Sequence, residues 1–179
     1  LKLTAVNVTN GEDTAEIYAG AELMAYPQKK GIPNTANGFP ISIVIDSSLK
    51  VDSFKIEASL NEDVGMTIRG GNGRGVLYGV YKFLEELGGV RYFMPGLETV
   101  PDSEIVISDG VVLEYTPFFE LRRLSWNCVG TNTDWCAKNG VNAHDGGESE
   151  PYGGKVVYGS GLFVHTLGAL TETGGGASP

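Results

Sequence analysis

The chain has 179 residues, an apolar fraction of 41% and a formal net charge of −9, from 13 basic and 22 acidic residues. This length can bury one good core, or about one and a half domains. The acidic balance argues against nucleic acid and anionic membranes as partners, because both need clustered Lys and Arg, and no apolar run is long enough to span a bilayer.

The first elements in the chain alternate between strand and helix. A short apolar N-terminal strand precedes a helix that begins at Asp13, where Glu16 completes a capping-box pattern. Pro27 is expected to end this helix near Tyr26, because proline removes a helical hydrogen bond and restricts the residue before it. An alternating strand follows at 41–45.

The middle of the chain predicts a β-hairpin followed by an amphipathic helix. Residues 54–59 alternate apolar and polar side chains, and a polar turn at 61–63 joins them to a strand at 65–68. The helix beyond the next, glycine-rich turn carries one apolar stripe, and two glycines supply its C-cap. The stripe and its cap are Val76, Val80, Phe83, Leu84, Leu87, Gly88 and Gly89.

These elements predict the fold class. Two more extended pieces follow at 90–93 and 105–107, so that the tally is four or five short strands and two helices. We expect residues 1–113 to form an α+β layer, with a mostly antiparallel sheet and both helices on one of its faces.

The glycine-rich turn at 70–75 raises the question of a nucleotide site. A dinucleotide fingerprint needs Gly-x-Gly-x-x-Gly, and counting from Gly71 or Gly73 places Val76 or Tyr78 where the third glycine belongs. A Walker-type Gly-Lys-Ser or Gly-Lys-Thr triplet is also lacking. We favour a structural interpretation, in which the glycines let the helix start close against the sheet. No cofactor is predicted.

The run at 71–96, GNGRGVLYGVYKFLEELGGVRYFMPG, resembles a small α/β domain that precedes the catalytic barrel in several exo-glycosidases. Glycoside hydrolase families 20 and 67 carry such a domain, as does an uncharacterised bacterial family related to the α-glucuronidases. The resemblance covers roughly residues 1–125 and implies an accessory domain without a catalytic group. One departure is Pro27, where that bacterial family usually continues its first helix.

Residues 114–179 resemble the beginning of such a barrel. Pro117 followed by Phe-x-x-Arg is similar to the opening of the first barrel strand, with Phe119 and Arg122 in the Phe and Arg positions. The resemblance implies that Arg122 binds hydroxyls of the terminal sugar, which suits the rigid fork of donors on arginine. An ion pair of Arg122 or Arg123 with a nearby acid is an equally open alternative.

The segment DWCAKNGVNAHDGG, 134–147, resembles the first barrel helix running into the second strand. The helix would cover 134–138, and the residues after it would carry His144 and Asp145 to the carboxyl end of the strand, where barrels place their chemistry. His165 resembles a histidine in a loop at the same face. The sugar-contacting residues predicted in this way are Arg122, Trp126, Asn142, His144 and His165.

Neither a catalytic residue nor a metal ligand is predicted. A (β/α)8 barrel takes about 250 residues, whereas 66 follow residue 113 (179 − 113), so the carboxylate pair of a glycosidase would lie on later strands. Glu148 and Glu150 lie in a stretch typical of a loop. The two histidines and two cysteines lack metal-site spacing, and a disulfide between Cys128 and Cys136 stays open.

The sequence thus predicts the N-terminal portion of a glycoside hydrolase: an accessory domain at 1–113 and the start of a barrel at 114–179. Its partners would be a carbohydrate and the rest of the same polypeptide, and the resemblance implies a secreted or periplasmic location. The alternative is a self-standing carbohydrate-binding or interaction domain, with aromatic platforms at Trp126, Trp135, Tyr152 and Tyr158. Whether the gene continues past residue 179 distinguishes the two.

Overall fold

The computed structural model describes residues 1–61 and 64–159, and its main feature is a five-stranded sheet. In spatial order its strands are β1 (Val6–Asn10), β2 (Phe39–Ile45), β4 (Met66–Gly70), β3 (Phe54–Ala58) and β7 (Val112–Tyr115). A separate hairpin contains β5 (Arg91–Met94) and β6 (Leu97–Thr99). The helices are α1 (Thr14–Lys29), α2 (Gly73–Glu86), α3 (Asn127–Gly130) and α4 (Thr133–Lys138), and a short 3-10 helix spans Glu150–Tyr152.

The five-stranded sheet is mixed, so the prediction of a mostly antiparallel sheet is wrong. β2 is parallel to both β1 and β4, whereas β3 is antiparallel to both β4 and β7. The parallel pairing of β1 and β2 follows from α1, a crossover helix that returns the chain to the same end of the sheet between these two strands. The predicted hairpin of β3 and β4 is confirmed.

Both long helices cover one face of this sheet. α1 and α2 pack against each other, and both contact β2, which confirms the predicted placement. The inward residues of the three central strands, Ile43, Ile56 and Ile68, are fully buried. The predicted stripe of α2 meets them: Val76, Val80, Phe83 and Leu84 are fully buried, and Leu87 is half-buried.

The predicted capping box at the start of α1 is confirmed. The Asp13 carboxylate accepts a hydrogen bond from the backbone N–H of Ala15 at 2.8 Å, and Glu16 accepts one from the N–H of Asp13 at 3.1 Å. The second oxygen of Glu16 accepts from the N–H of Ile45 at 2.6 Å. Glu16 therefore fixes the end of β2 to the start of α1 as well as capping the helix.

α1 does not end near Tyr26, as the sequence predicted, but continues through Pro27 to Lys29. Proline in the last turn removes a single intrahelical donor, and few further turns remain to be disturbed. The carbonyl of Pro27 accepts hydrogen bonds from the N–H groups of Lys30 and Ile32, both at 2.9 Å. The helix end is therefore satisfied despite the proline.

The glycine-rich turn brings the chain close to α2, in line with the structural interpretation. A Cβ on Gly71 would lie 1.9 Å from the carbonyl oxygen of Lys50, and one on Gly75 would lie 2.3 Å from that of Ser53. Asn72 caps the helix by accepting a hydrogen bond from the N–H of Gly75 at 2.9 Å. The segment 50–53 thus lies directly against the N-terminus of α2.

Residues 116–159, here called the C-terminal segment, pack on the helices. α4 contacts α2 and β5, and the 3-10 helix contacts α1 and α2. α4 confirms the helix predicted at 134–138. The predicted first barrel strand at 119–122 has no ladder partner among the described residues; instead, Arg123 and Ala143 form one isolated parallel bridge, which does not establish a barrel.

The predicted domain boundary after residue 113 falls inside β7, which pairs with β3 of the main sheet. In the described ranges, no helix combines the length and hydropathy needed to cross a bilayer.

Candidate functional site

Asp52 is the centre of a polar cluster that joins the sheet and helices to the C-terminal segment. Its side chain is 2% exposed and its backbone has a left-handed φ of 62°. One carboxylate oxygen accepts hydrogen bonds from Arg74 Nε at 2.7 Å and Asn72 Nδ2 at 3.0 Å. The other accepts from Arg122 and from Asn142 Nδ2, both at 2.8 Å. We call these five residues the Asp52 cluster.

Hydrogen bonding keeps Asp52 ionised in spite of its burial. Burial alone would raise the pKa of this carboxyl, but hydrogen bonds from Arg122, Asn142 and Asn72, together with the charge of Arg74, outweigh it and lower the pKa. A buried carboxylate is tolerated only when paired in this way. Aspartate also accepts a left-handed backbone more readily than most residues, so the turn and the ion pairs are compatible.

Arg122 belongs to this cluster by several contacts. Its Nε donates to the carbonyl of Gly140 at 2.7 Å, a terminal nitrogen donates to the carbonyl of Phe119 at 2.9 Å, and the other terminal nitrogen binds Asp52. Of the two roles left open for Arg122, the ion pair is therefore present. A contact with a sugar stays a prediction.

Asn142 is 1% exposed, and its amide bonds to the protein on both sides. The oxygen accepts from the backbone N–H of Arg122 at 2.8 Å, and the nitrogen donates to Asp52 and to the carbonyl of Glu120 at 2.7 Å. These bonds position the Arg122 backbone and the Asp52 carboxylate together. The sugar contact predicted for Asn142 remains a prediction.

His144 lies one residue beyond the Arg123–Ala143 bridge and is 6% exposed. Its Nδ1 has no hydrogen-bond partner within the described part of the chain. Burial is the largest cause that lowers the pKa of His144, and the charge of Lys155 lowers it further. The neighbouring Asp145 carboxylate is held by Arg123, with nitrogen–oxygen distances of 2.9 and 2.7 Å.

The predicted aromatic platform at Trp126 is 74% exposed. It belongs to a run of exposed apolar side chains, which we call the 118–126 strip. Its members are Phe118, Phe119, Leu121, Leu124 and Trp126. The remaining predicted residue, His165, lies outside the described residues. Of the five predicted site residues, the Asp52 cluster thus contains Arg122 and Asn142.

The described residues include two thiols, and their acidic and imidazole side chains are dispersed. No group of three or more His, Cys, Asp or Glu side chains there is arranged to hold a metal ion. Cys128 is exposed and Cys136 is buried, and both are free thiols. Burial raises the pKa of Cys136 to about 11, so its thiol is protonated at neutral pH and is a poor nucleophile.

Sequence reasoning missed Asp52, although this residue organises the cluster. A lone acid in a turn after a polar stretch carries no motif. A weak signal was available at the start of α2. Close packing there does not require polar side chains, yet the sequence has Asn72 and Arg74. Their shared partner becomes visible only when the fold brings segments around 52, 72, 122 and 142 together.

No protein-family model matches the chain, and no curated protein does. Among solved structures, one similar chain is a GH138 enzyme targeting pectin rhamnogalacturonan II, with 22% sequence identity and a TM-score of 0.37. The similarity covers 46% of this chain, which spans only 9% of the length of that enzyme. A likeness of this size carries no argument about fold or activity.

Proposed function

We propose that this chain is the N-terminal portion of a carbohydrate-active enzyme, with an accessory α/β layer followed by the start of a catalytic barrel. The observation that supports the proposal best is the parallel bridge between Arg123 and Ala143, with α3 and α4 between its two sides. A (β/α)8 barrel repeats this order of extended segment, helix and parallel extended segment. His144 then follows the second extended segment, at the end where barrels carry their chemistry.

The Asp52 cluster gives the accessory layer a physical task in this proposal. Asp52, Asn72 and Arg74 come from the layer, whereas Arg122 and Asn142 directly precede the two residues of the parallel bridge. A buried, fully bonded carboxylate fixes distance and orientation at once. The layer would therefore hold the first part of the barrel in register.

The test is to express the complete gene product and the 179-residue chain side by side. We expect the complete product to release reducing sugar from polysaccharides or to cleave aryl glycosides, and the shorter chain to be inactive, because glycosidases need a carboxylate pair placed by later strands. A gene that ends at residue 179, or a complete product without glycosidase activity, would contradict the proposal. So would turnover by the 179-residue chain that is lost on mutating one of its own acids.

A second candidate is a carbohydrate-binding domain without catalysis, and the exposure of Trp126 favours it. An exposed indole offers a flat apolar face to a sugar ring. Binding of soluble polysaccharide by the 179-residue chain, abolished by Trp126→Ala, would favour this candidate if the complete product also lacks hydrolytic activity.

A secreted or periplasmic location is also part of the proposal, because the enzymes that the sequence resembles are mostly exported. Fractionation of the producing cells tests it, and recovery of the protein solely in the cytoplasmic fraction would refute it.

A further inference from the structure

A cleft of about 480 Å³ lies between α2, the end of β7 and the loop after α4. This volume is within the range of about 300–1,000 Å³ that is typical of small-molecule sites. Tyr78 and Lys82 line it from α2, Tyr115 from β7, and Asn139 and Gly140 from the loop. The cleft is therefore built jointly by the sheet, the helix layer and the C-terminal segment.

An aromatic pair forms the apolar part of this cleft. Tyr115 is 43% exposed, and its ring lies 5.7 Å from that of the buried Phe54, with an angle of 31° between the ring planes. The strand register also places these two residues opposite each other. Phe54 thus restricts the orientation of the Tyr115 ring but leaves the ring partly exposed. A platform for the C–H face of a sugar ring needs both properties.

Tyr78 brings a buried hydroxyl to the wall of the cleft, and the Arg122 guanidinium lies 5.6 Å from the centre of its ring. The side chain is 6% exposed, and its hydroxyl has no hydrogen-bond partner of good geometry within 1–61 and 64–159. Burial is the largest cause that raises the pKa of Tyr78, and together with the Asp52 charge it outweighs the opposing effects of Arg122 and Arg74 and brings the pKa to about 12. The hydroxyl therefore keeps its proton at neutral pH. A buried hydroxyl without a partner is costly, and the hydroxyl of a ligand can relieve that cost.

The charges around the cleft favour an uncharged ligand. Basic and acidic side chains line it in equal number, and these are Lys82, Lys138, Arg122, Glu85, Glu86 and Glu114. The three basic groups already have acidic partners: Lys82 binds Glu85 and Glu86, Lys138 binds Asp134, and Arg122 binds Asp52. A carboxylate or phosphate ligand would have to compete with these carboxylates, whereas sugar hydroxyls can bond to the paired groups from outside.

We propose that this cleft is a non-catalytic subsite for neutral pyranose units, with Tyr115 as the platform and the Tyr78 hydroxyl as the buried polar contact. The inference goes beyond the proposed function, because it places a sugar on the accessory layer and requires neither a barrel nor hydrolysis. Of the sugar contacts predicted from the sequence, Arg122 lines this cleft, whereas Trp126, Asn142 and His144 do not.

The test is isothermal titration of the 179-residue chain with xylohexaose, cellohexaose and mannohexaose, and with trigalacturonate as the anionic comparison. We expect at least one neutral oligosaccharide to bind and trigalacturonate to bind more weakly. Tyr78→Phe removes only the hydroxyl, and it should weaken binding by roughly 10-fold. Tyr115→Ala should weaken it at least as much, while Phe93→Ala, which lies outside the cleft, should leave affinity unchanged.

Thermal melting of each variant shows whether a loss of binding reflects unfolding, and Tyr78→Phe keeps the inference testable if Tyr115→Ala fails to fold. Three results would overturn it: no neutral oligosaccharide binds at millimolar concentration, trigalacturonate binds best, or binding survives Tyr78→Phe and Tyr115→Ala but is lost in Trp126→Ala. Hydrolysis by the complete gene product is measured separately. The subsite and the proposed function therefore fail independently.

Discussion

The sheet with its two long helices and the C-terminal segment are stabilised by different forces. Residues 1–115 supply nearly all of the main apolar core, to which the described part of the C-terminal segment adds the buried Ala137 and the partly buried Tyr152. The C-terminal segment is attached chiefly through polar contacts. They include Asp52 with Arg122 and Asn142, Arg74 with the carbonyl of Gly153, Lys138 with Glu98, and the hydroxyls of Tyr18 and Tyr152.

This difference has consequences for sensitivity. Apolar burial is non-directional and hardly depends on pH, so the layer should respond to lost volume and little to lost charge. Charge-assisted hydrogen bonds depend on single atoms and on protonation, so the attachment of the C-terminal segment should respond to both. The 118–126 strip is exposed and adds little to holding the segment in place.

The largest effect is expected from a cavity in the layer. Phe83 is fully buried on α2, and Phe83→Ala should lower the free energy of unfolding by about 3–5 kcal/mol. Urea denaturation followed by circular dichroism measures this. Phe93→Ala is the matched control, because Phe93 is 61% exposed, and it should change stability by less than about 0.5 kcal/mol. If both variants lowered the free energy of unfolding by a similar amount, Phe83 would not belong to the core as its burial indicates.

A smaller effect, confined to the attachment, is expected from Asp52→Asn. The amide nearly matches the carboxylate in shape. It has a single oxygen that can accept hydrogen bonds, however, and it carries no negative charge to balance Arg74 and Arg122. We expect a loss of about 1.5–3 kcal/mol, the range for hydrogen bonds to charged groups. Limited proteolysis should then cut within 116–159 before it cuts the layer.

Asp102→Asn is the control for Asp52→Asn, because Asp102 is exposed; it should leave both stability and the cleavage pattern unchanged. Uniform proteolysis of the Asp52→Asn chain, with no preference for 116–159, would show that the two regions are not attached as the contacts indicate.

Acid should reproduce the effect of Asp52→Asn in the wild-type chain. The pKa of Asp52 is lowered in the folded state, so its contribution is complete above the unfolded value of about 3.9 and is lost as the pH falls through the folded pKa. The difference in thermal midpoint between wild type and Asp52→Asn should therefore be constant near neutral pH and shrink below about pH 4. A difference that persists at the acid end would mean that the carboxylate charge is not the stabilising feature.

Local patterns were sufficient to predict parts of the layer. Apolar spacing along α2, alternation in β3 and β4, and the Asp13–Glu16 cap all lie within short windows, and the structure bears them out. The mixed sheet was missed because strand order depends on the β1–α1–β2 crossover, which alternation within a strand does not encode. Pro27 was misjudged because the cost of a helical proline depends on how many turns follow it.

The cluster around Asp52 was less predictable than the layer. Arg122 was identified as important, with an ion pair among its open roles, but its partner lies 70 positions away in a turn without a motif. Asn142 was singled out for a sugar contact, and the structure shows its amide bonded to Asp52 and Glu120. A pairing that joins distant segments through side chains leaves no periodic trace, so the sequence can suggest the residue types and not their partners.

The smallest expected effect is the pH dependence of stability that comes from His144. Burial lowers the pKa of His144 below its ordinary value near 6.5, and Lys155 adds to the shift, against the opposing charge of Asp145. On acidification the unfolded chain therefore binds the proton at a higher pH than the folded chain does. The stabilisation that comes from a neutral His144 is present above about pH 6.5 and is lost as the pH falls below it.

Thermal melts between pH 7.5 and 5 should show a modest decline in the thermal midpoint, smaller than the decrease caused by Asp52→Asn. His144→Gln should flatten this decline. An unchanged pH slope in His144→Gln would show that His144 is not the titrating group, and would remove the burial argument for its neutral state.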